Sequence, residues 1–186
     1  GFFCVSTSYR QEPNAIPGRH DIIFPMFEFE MPGDVHDLKA MEIELCDYLG
    51  FDALTEKTYR EWQQHWGVSA DVEMDDSHER GMAMNFGSCL ITDFPEITSP
   101  FWNMARNNDG DTAKKMDVIL GGMETIGSAE RSCDVDMMRD TFHSIVDGEY
   151  AQLLFKLFGK ERVEAELEEF LKFDFFQRVG GGIGIT

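Results

Sequence analysis

The stretch DVILGGMETIGSAER, Asp117 to Arg131, decides the fold. β-type residues run up to a Gly121-Gly122 pair and resume after it, the pattern of two antiparallel strands closed by a two-residue turn that glycine permits. In that register Leu120 pairs with Met123 and Ile119 with Glu124, which makes Asp117 and Glu124 diagonal neighbours on one sheet face. Two carboxylates held that close repel. A hard cation such as Mg2+ relieves the repulsion, since it binds through one or two carboxylates together with phosphate oxygens. The same side chains equally suit a water-facing surface. Arg131 joins their face only if a bulge near Gly127-Ser128 restores the alternation.

Working outward, Phe3, Val5, Thr7 and Tyr9 alternate with Cys4, Ser6, Ser8 and Arg10, a strand with one face packed and the other polar. Arg10 and Glu12 continue the polar face. Glu12 to Gly18 holds two prolines and reads as a loop, and Ile22 to Met31 as the return strand of a hairpin. Pro25 within it argues for an edge or a bulge. Phe24, Met26, Glu28 and Glu30 share one face, and Phe27, Phe29 and Met31 the core face.

Val35 to Leu49 is an amphipathic helix stopped by Gly50; Glu56 to Trp66 and Ser77 to Phe86 are shorter helices. Cys89 to Phe94 is a buried strand, and Phe101 to Arg106 reads as another. Helical spacing returns from Asp134 to Leu171, broken near Gly148 and Gly159, before the run Gly180 to Gly184. Strands with inserted helices give an α+β class with a mainly antiparallel sheet flanked by helices, one domain over residues 1–186.

With 16 Lys+Arg against 35 Asp+Glu, the net charge is -19, so the surface as a whole repels nucleic acid and anionic membranes. A polyanion must be met locally. Cys4, Cys46, Cys89 and Cys133 are scattered without metal-ligand spacing, which fits reduced thiols and a cytoplasmic setting. No apolar run approaches the ~20 residues of a membrane span. Both ends read as cut: the chain opens directly in a strand and stops just after a glycine run.

The basic groups of this acidic chain gather around the first loop. Arg10 offers a planar fork of donors suited to phosphate or carboxylate, Glu12 on the same face accepts from an exocyclic amine, and Arg19 and His20 at the far end close over the distal part of the same anion. An ordinary surface ion pair between Arg10 and Glu12 is the alternative. Gly180 to Gly184 lacks the dinucleotide-binding spacing, yet it permits a flat group to approach a strand backbone closely. His36, His65, His78 and His143 form no ligand-spaced set, and the eleven methionines read as core filler.

In this order and spacing the segments resemble the catalytic core of the class II aminoacyl-tRNA synthetases, in the aspartyl, asparaginyl and lysyl subgroup that includes related asparagine synthetases. Tyr9-Arg10-Gln11-Glu12 is similar to the F-R-x-E of the family's second motif, and Arg19-His20 to its downstream R-H, followed by Phe24, Glu28 and Glu30. ITDFP, Ile91 to Pro95, resembles the strand between the motifs; Asp117, Glu124 and Arg131 match D-x6-E-x6-R; GGGIGIT resembles the start of the third motif.

The resemblance implies a class II synthetase-like fold and a ligase that uses ATP and Mg2+ to activate aspartate or asparagine as an adenylate for tRNA. It implies that Arg10 is catalytic, holding the α-phosphate and the amino-acid carboxylate. Glu12 reads adenine, Phe24 stacks on it, and Gly180, Gly181 and Gly182 floor its pocket. Arg19 and His20 reach the γ-phosphate, Asp117 and Glu124 hold Mg2+, and Glu28 and Arg131 meet the substrate side chain. A homodimer is implied for the full-length protein. The basic loop is then a triphosphate clamp. Stand-alone asparagine synthesis from ammonia, or a synthetase-like module without catalysis, are the other functions compatible with the same resemblance. Ile23 stands where the family has glutamate, the loop from Arg10 to Arg19 is one residue longer, and neither the first motif nor an anticodon domain is represented.

Overall fold

The computed structural model describes residues 1–9 and 21–185. Arg10, Glu12, Arg19 and His20 lie outside the described residues. In chain order the elements are β1 (Phe2–Tyr9), β2 (Ile23–Pro32), α1 (Val35–Tyr48), β3 (Thr55–Thr58), α2 (Tyr59–Trp66), α3 (Asp76–Phe86), β4 (Cys89–Pro95), β5 (Thr112–Leu120), β6 (Met123–Arg131), α4 (Val135–Ser144), α5 (Glu149–Phe158), α6 (Lys160–Leu171) and β7 (Arg178–Gly184). The strands form one seven-stranded sheet in the order β1-β2-β7-β6-β5-β4-β3. Five of the neighbouring pairs are antiparallel, and β3–β4 is parallel. The mainly antiparallel α+β class is therefore what the chain adopts.

Helix starts follow from short polar side chains that satisfy the first free N–H groups. Asp34 with Asp37, Thr58 with Glu61 and Asp75 with His78 form reciprocal capping pairs at α1, α2 and α3. The Thr58 cap corrects one boundary. Thr55–Thr58 is a strand beside β4 rather than the first turn of a helix begun at Glu56, because Thr58 stays extended to accept from the Glu61 N–H. Phe101 to Arg106 is not a strand either. It makes only isolated bridges, Met104 to Arg131 and Arg106 to Ala113, while Arg106 donates to the Pro100 and Met104 carbonyls at 3.2 and 2.8 Å. Backbone hydrogen bonds from Ala105 N–H to the Glu130 carbonyl at 2.8 Å and from Lys114 N–H to the Ala105 carbonyl at 2.9 Å tie the segment to β6 and β5 without building a continuous ladder.

Strand β1 departs from expectation as well. Its apolar residues are not packed: Phe2 and Phe3 are 71% exposed and Tyr9 75%. This strand is the sheet's edge, and Phe3 stacks on Phe27 with ring centroids 5.4 Å apart, but no described helix covers it. Pro25 sits within β2 just beyond the β2–β7 ladder, which begins at Met26 opposite Gly184, so proline falls where one neighbour has ended.

The sheet separates two clusters. On one face α1 buries Leu38 and Cys46 against Leu90, Met116, Val118, Leu120, Ile126 and Val179. On the other, α2 and α3 bring Trp62 and Met82 onto Cys89, Ile91 and Ile119. A third cluster joins α4, α5 and α6 around Trp102, Met138, Phe142 and Leu167. Beneath the sheet, Glu42 of α1 is fully buried, with the Ser128 hydroxyl beside it and no charged partner among the described residues. Burial pushes its carboxyl up to about 7, with the Ser128 hydroxyl opposing the rise and the Asp117 charge adding to it.

A folded-state pKa above the ordinary value near 4.5 contributes stability that is complete below that value and is lost as pH rises through about 7. Glu42→Gln, which cannot ionise, is expected to be more stable than wild type at pH 8, by on the order of 3 kcal/mol, and to flatten the decline between about pH 4.5 and 7. Denaturant unfolding across that range tests this; equal pH profiles for the two proteins contradict it.

Candidate active site

Directly opposed residues of an antiparallel ladder share a face. The register therefore draws one row across four strands: Glu28 on β2, Gly182 on β7, Gly127 on β6 and Asp117 on β5. The next row runs Glu30, Gly180, Ala129, Lys115, and Arg131 with Arg178 follow on the same face. Phe24 and Met26 lie on this side of β2. Gly181 points the other way, where a Cβ would come within 2.6 Å of Ser128 Cβ and 2.8 Å of the Gly127 carbonyl oxygen. Of the three expected floor glycines, two face the site and one packs beneath it.

The turn at Gly121-Gly122 forms as the sequence requires, with φ of 60° and 82°. Leu120 faces Met123 and Ile119 faces Glu124. The bulge lies earlier than expected. Pairing steps from Ile119–Glu124 to Val118–Ile126, so Thr125 is the extra residue, and its hydroxyl donates to the Met123 carbonyl at 3.2 Å. The tight turn fixes register from the tip, so the irregularity falls beside it rather than at Gly127-Ser128. Its effect is the one the chemistry needs, with Asp117, Glu124 and Arg131 on one face.

Gly127 makes room for the acid pair. A Cβ there would sit 2.6 Å from Glu124 Oε1 and 3.6 Å from Asp117 Oδ1, so the two carboxylates meet over a residue with no side chain. Asp117 is 5% exposed; one oxygen contacts the Lys115 ammonium and Oδ1 has no partner among the described residues. Burial raises its carboxyl above the ordinary range, Lys115 opposes that rise, and the Glu124 and Glu79 charges add to it. A buried, unsatisfied oxygen beside a second carboxylate fits a hard cation that brings its remaining ligands from a phosphate. The start of α3 closes this end over a cavity of about 200 Å3, with Asp75, His78 and Glu79 on its wall.

At the other end Arg131 Nε donates to Glu30 Oε1 at 2.8 Å. Glu30 Oε2 and Asn103 Oδ1 are buried without partners among the described residues, and both residues border a cavity of about 560 Å3 walled by Phe170, Phe173 and Phe175. Glu28 is oriented from the edge strand, accepting from Ser6 Oγ at 2.6 Å. Sequence reasoning missed Lys115, Ser6 and the α3 residues. Lys115 stands two residues before Asp117, so strand alternation alone assigns it to the site; nothing local marks the others.

The family described as tRNA synthetases class II (D, K and N) matches residues 1–185. This chain belongs to that family. An asparagine–tRNA ligase of Treponema denticola is 32% identical over 82 residues, 42% of this chain and 16% of the ligase. Among solved structures, the chain superposes on an Entamoeba histolytica asparaginyl-tRNA synthetase in complex with asparaginyl-adenylate with a TM-score of 0.78 at 18% identity, covering 98% of this chain and 47% of that one. The Pyrococcus horikoshii asparaginyl-tRNA synthetase gives 0.76 at 18%, covering 98% and 46%, and the Entamoeba histolytica aspartyl enzyme 0.75 at 16%, covering 98% and 43%. The chain thus spans less than half the length of these synthetases, and its seven-stranded sheet is their fold.

The glycine row has a measurable consequence in this synthetase fold. Gly181→Ala is expected to cost about 1–3 kcal/mol, because its Cβ meets backbone of β6, whereas Gly182→Ala, which meets only the flexible Met26 thioether, costs less. Chemical denaturation of both variants checks the order; the reverse order contradicts the assignment of faces.

Proposed function

We propose that this chain is a catalytic-domain portion of an ATP-dependent ligase that activates aspartate or asparagine as an aminoacyl-adenylate for transfer to tRNA, acting in the cytoplasm within a homodimer. The observation that carries this is the row Glu28–Gly182–Gly127–Asp117, with Glu124 and Arg131 on the same face, in a chain of the class II family. That two of the similar solved structures are described as asparaginyl-adenylate complexes supports the reading.

The residues divide the work by position. Arg10 meets the α-phosphate and the amino-acid carboxylate, Glu12 accepts from the adenine amino group, and Arg19 and His20 reach the γ-phosphate. Their assignment rests on the motif resemblance. Phe24 stacks on adenine above the backbone of Gly180 to Gly182. Asp117 and Glu124 hold Mg2+, which when bound supplies charge neutralisation to the phosphates. Arg131 spends Nε on Glu30, so its outer nitrogens are placed for a substrate carboxylate or amide, and Glu28 accepts from the amide on the opposite side.

Attack of the substrate carboxylate on the α-phosphorus builds negative charge on the phosphoryl oxygens, which the Arg10 guanidinium would stabilise. No general base is needed, since the nucleophile is already ionised at neutral pH. The bond to pyrophosphate breaks as the bond to the carboxylate oxygen forms.

A second reading is stand-alone asparagine synthesis, in which ammonia attacks the adenylate of aspartate. The net charge of -19, unfavourable for a tRNA surface, favours it.

ATP–pyrophosphate exchange with the full-length protein tests the shared chemistry. Exchange dependent on aspartate or asparagine is expected, falling at least a hundredfold in Arg10→Ala and in Asp117→Asn with circular dichroism unchanged. Absence of exchange with both amino acids contradicts both readings. Consumption of the adenylate by tRNA or by ammonia separates them.

A further inference from the structure

The cavity at the Asp117 end is walled by carboxylates, Asp75, Glu79, Asp117 and Glu124 among them, and one lysine enters it. Lys115 is held on two sides. Its ammonium contacts Asp117 Oδ2 and lies 3.7 Å from the centre of the Phe94 ring, whose negative face attracts a cation. Side-chain exposures of 20% for Lys115 and 6% for Asp117 place the pair largely out of water, where charge interactions are strong.

We propose that Lys115 is a tethered cation that occupies the acid pair in place of a divalent ion until a metal arrives with a nucleotide. This rests on the metal reading of Asp117 and Glu124 given above. The ammonium and a metal ion compete for the same carboxylate charge, and an ammonium bound to the strand two residues away is present at an effective concentration of millimolar or more. A free divalent ion therefore meets a site already partly neutralised. A metal bound to a polyphosphate brings anionic oxygens that draw Lys115 from Asp117 and leave both carboxylate oxygens open. Lys115 thus acts through Asp117 as a positioning residue, setting the order in which metal and nucleotide enter.

The test uses Mn2+ alone as probe, titrated without nucleotide into the full-length protein and read by electron paramagnetic resonance. Lys115→Met and Lys115→Gln are expected to bind Mn2+ at least tenfold more tightly than wild type, while Lys115→Arg, which keeps the charge, stays near wild type. Adding Asp117→Asn to Lys115→Met is expected to erase the gain. A lysine that merely braced the strand would leave Mn2+ affinity unchanged or weaken it in Met and Gln variants, and either result overturns the proposal. So does a gain that survives Asp117→Asn. Mn2+ binding that depends on Asp117 but is equal in all Lys115 variants removes the proposal and keeps the metal reading; no Asp117-dependent binding in any variant removes both.

Discussion

The register of the four antiparallel strands β2, β7, β6 and β5 is the constraint on which the site depends. Side chains alternate between faces with a period of two, so a slip of one residue would carry Asp117, Glu28 and Arg131 to the α1 side and bring Met116 and Val179 to the site. Several contacts fix it. The diglycine turn sets β5 against β6 from the tip, and the Thr125 bulge then shifts parity once, so that Glu124 and Arg131 both share the face of Asp117. Gly181 lets β7 lie against Ser128 with no room for a Cβ, which ties β7 to β6 independently of the turn.

That register places ionisable groups on both sides of the same strands. Glu42 rises from α1 toward the sheet without a charged partner among the described residues, and Asp117 stands on the opposite face with one oxygen unsatisfied, its charge adding to the rise of the Glu42 carboxyl. Burying two carboxylates this way opposes folding at neutral pH. A stretch that opposes folding in the unliganded protein is where bound cationic charge has the largest effect, and Lys115 supplies part of it within the chain. An overall charge of -19 makes the local concentration of positive groups matter more.

Much of the fold was legible because its signals are short-range. The Gly121-Gly122 turn, the end of α1 just before Gly50, and the glycine breaks at 148 and 159 act within a few residues, and each appears where local chemistry puts it. What failed was set by distant partners. Thr55–Thr58 is a strand because β4 lies beside it, and Phe101 to Arg106 is not one because its backbone pairs with β6 and then β5 only at single bridges. The apolar alternation of β1 correctly marks a strand, yet alternation says only that a face is apolar, not that something covers it. In the site, the diglycine turn and alternation along β5 placed Asp117 and Glu124, Arg131 joined them only through a bulge, and Ser6 on Glu28 and Asp75 to Glu79 above Asp117 arrive from other elements.

The two ends of the face also limit what can bind across it. From Gly127 to Arg131 along β6 is four residues, about 14 Å at the rise of an antiparallel strand. A ligand that reaches both the acid pair and Arg131 must span that length, which excludes a free amino acid or a lone phosphate. Between the ends, Gly182, Gly180 and Ala129 add little side chain of their own, and the Met26 thioether and the Glu30 carboxyl lie over the two glycines. A shorter ligand satisfies one end only, the acid pair or Arg131.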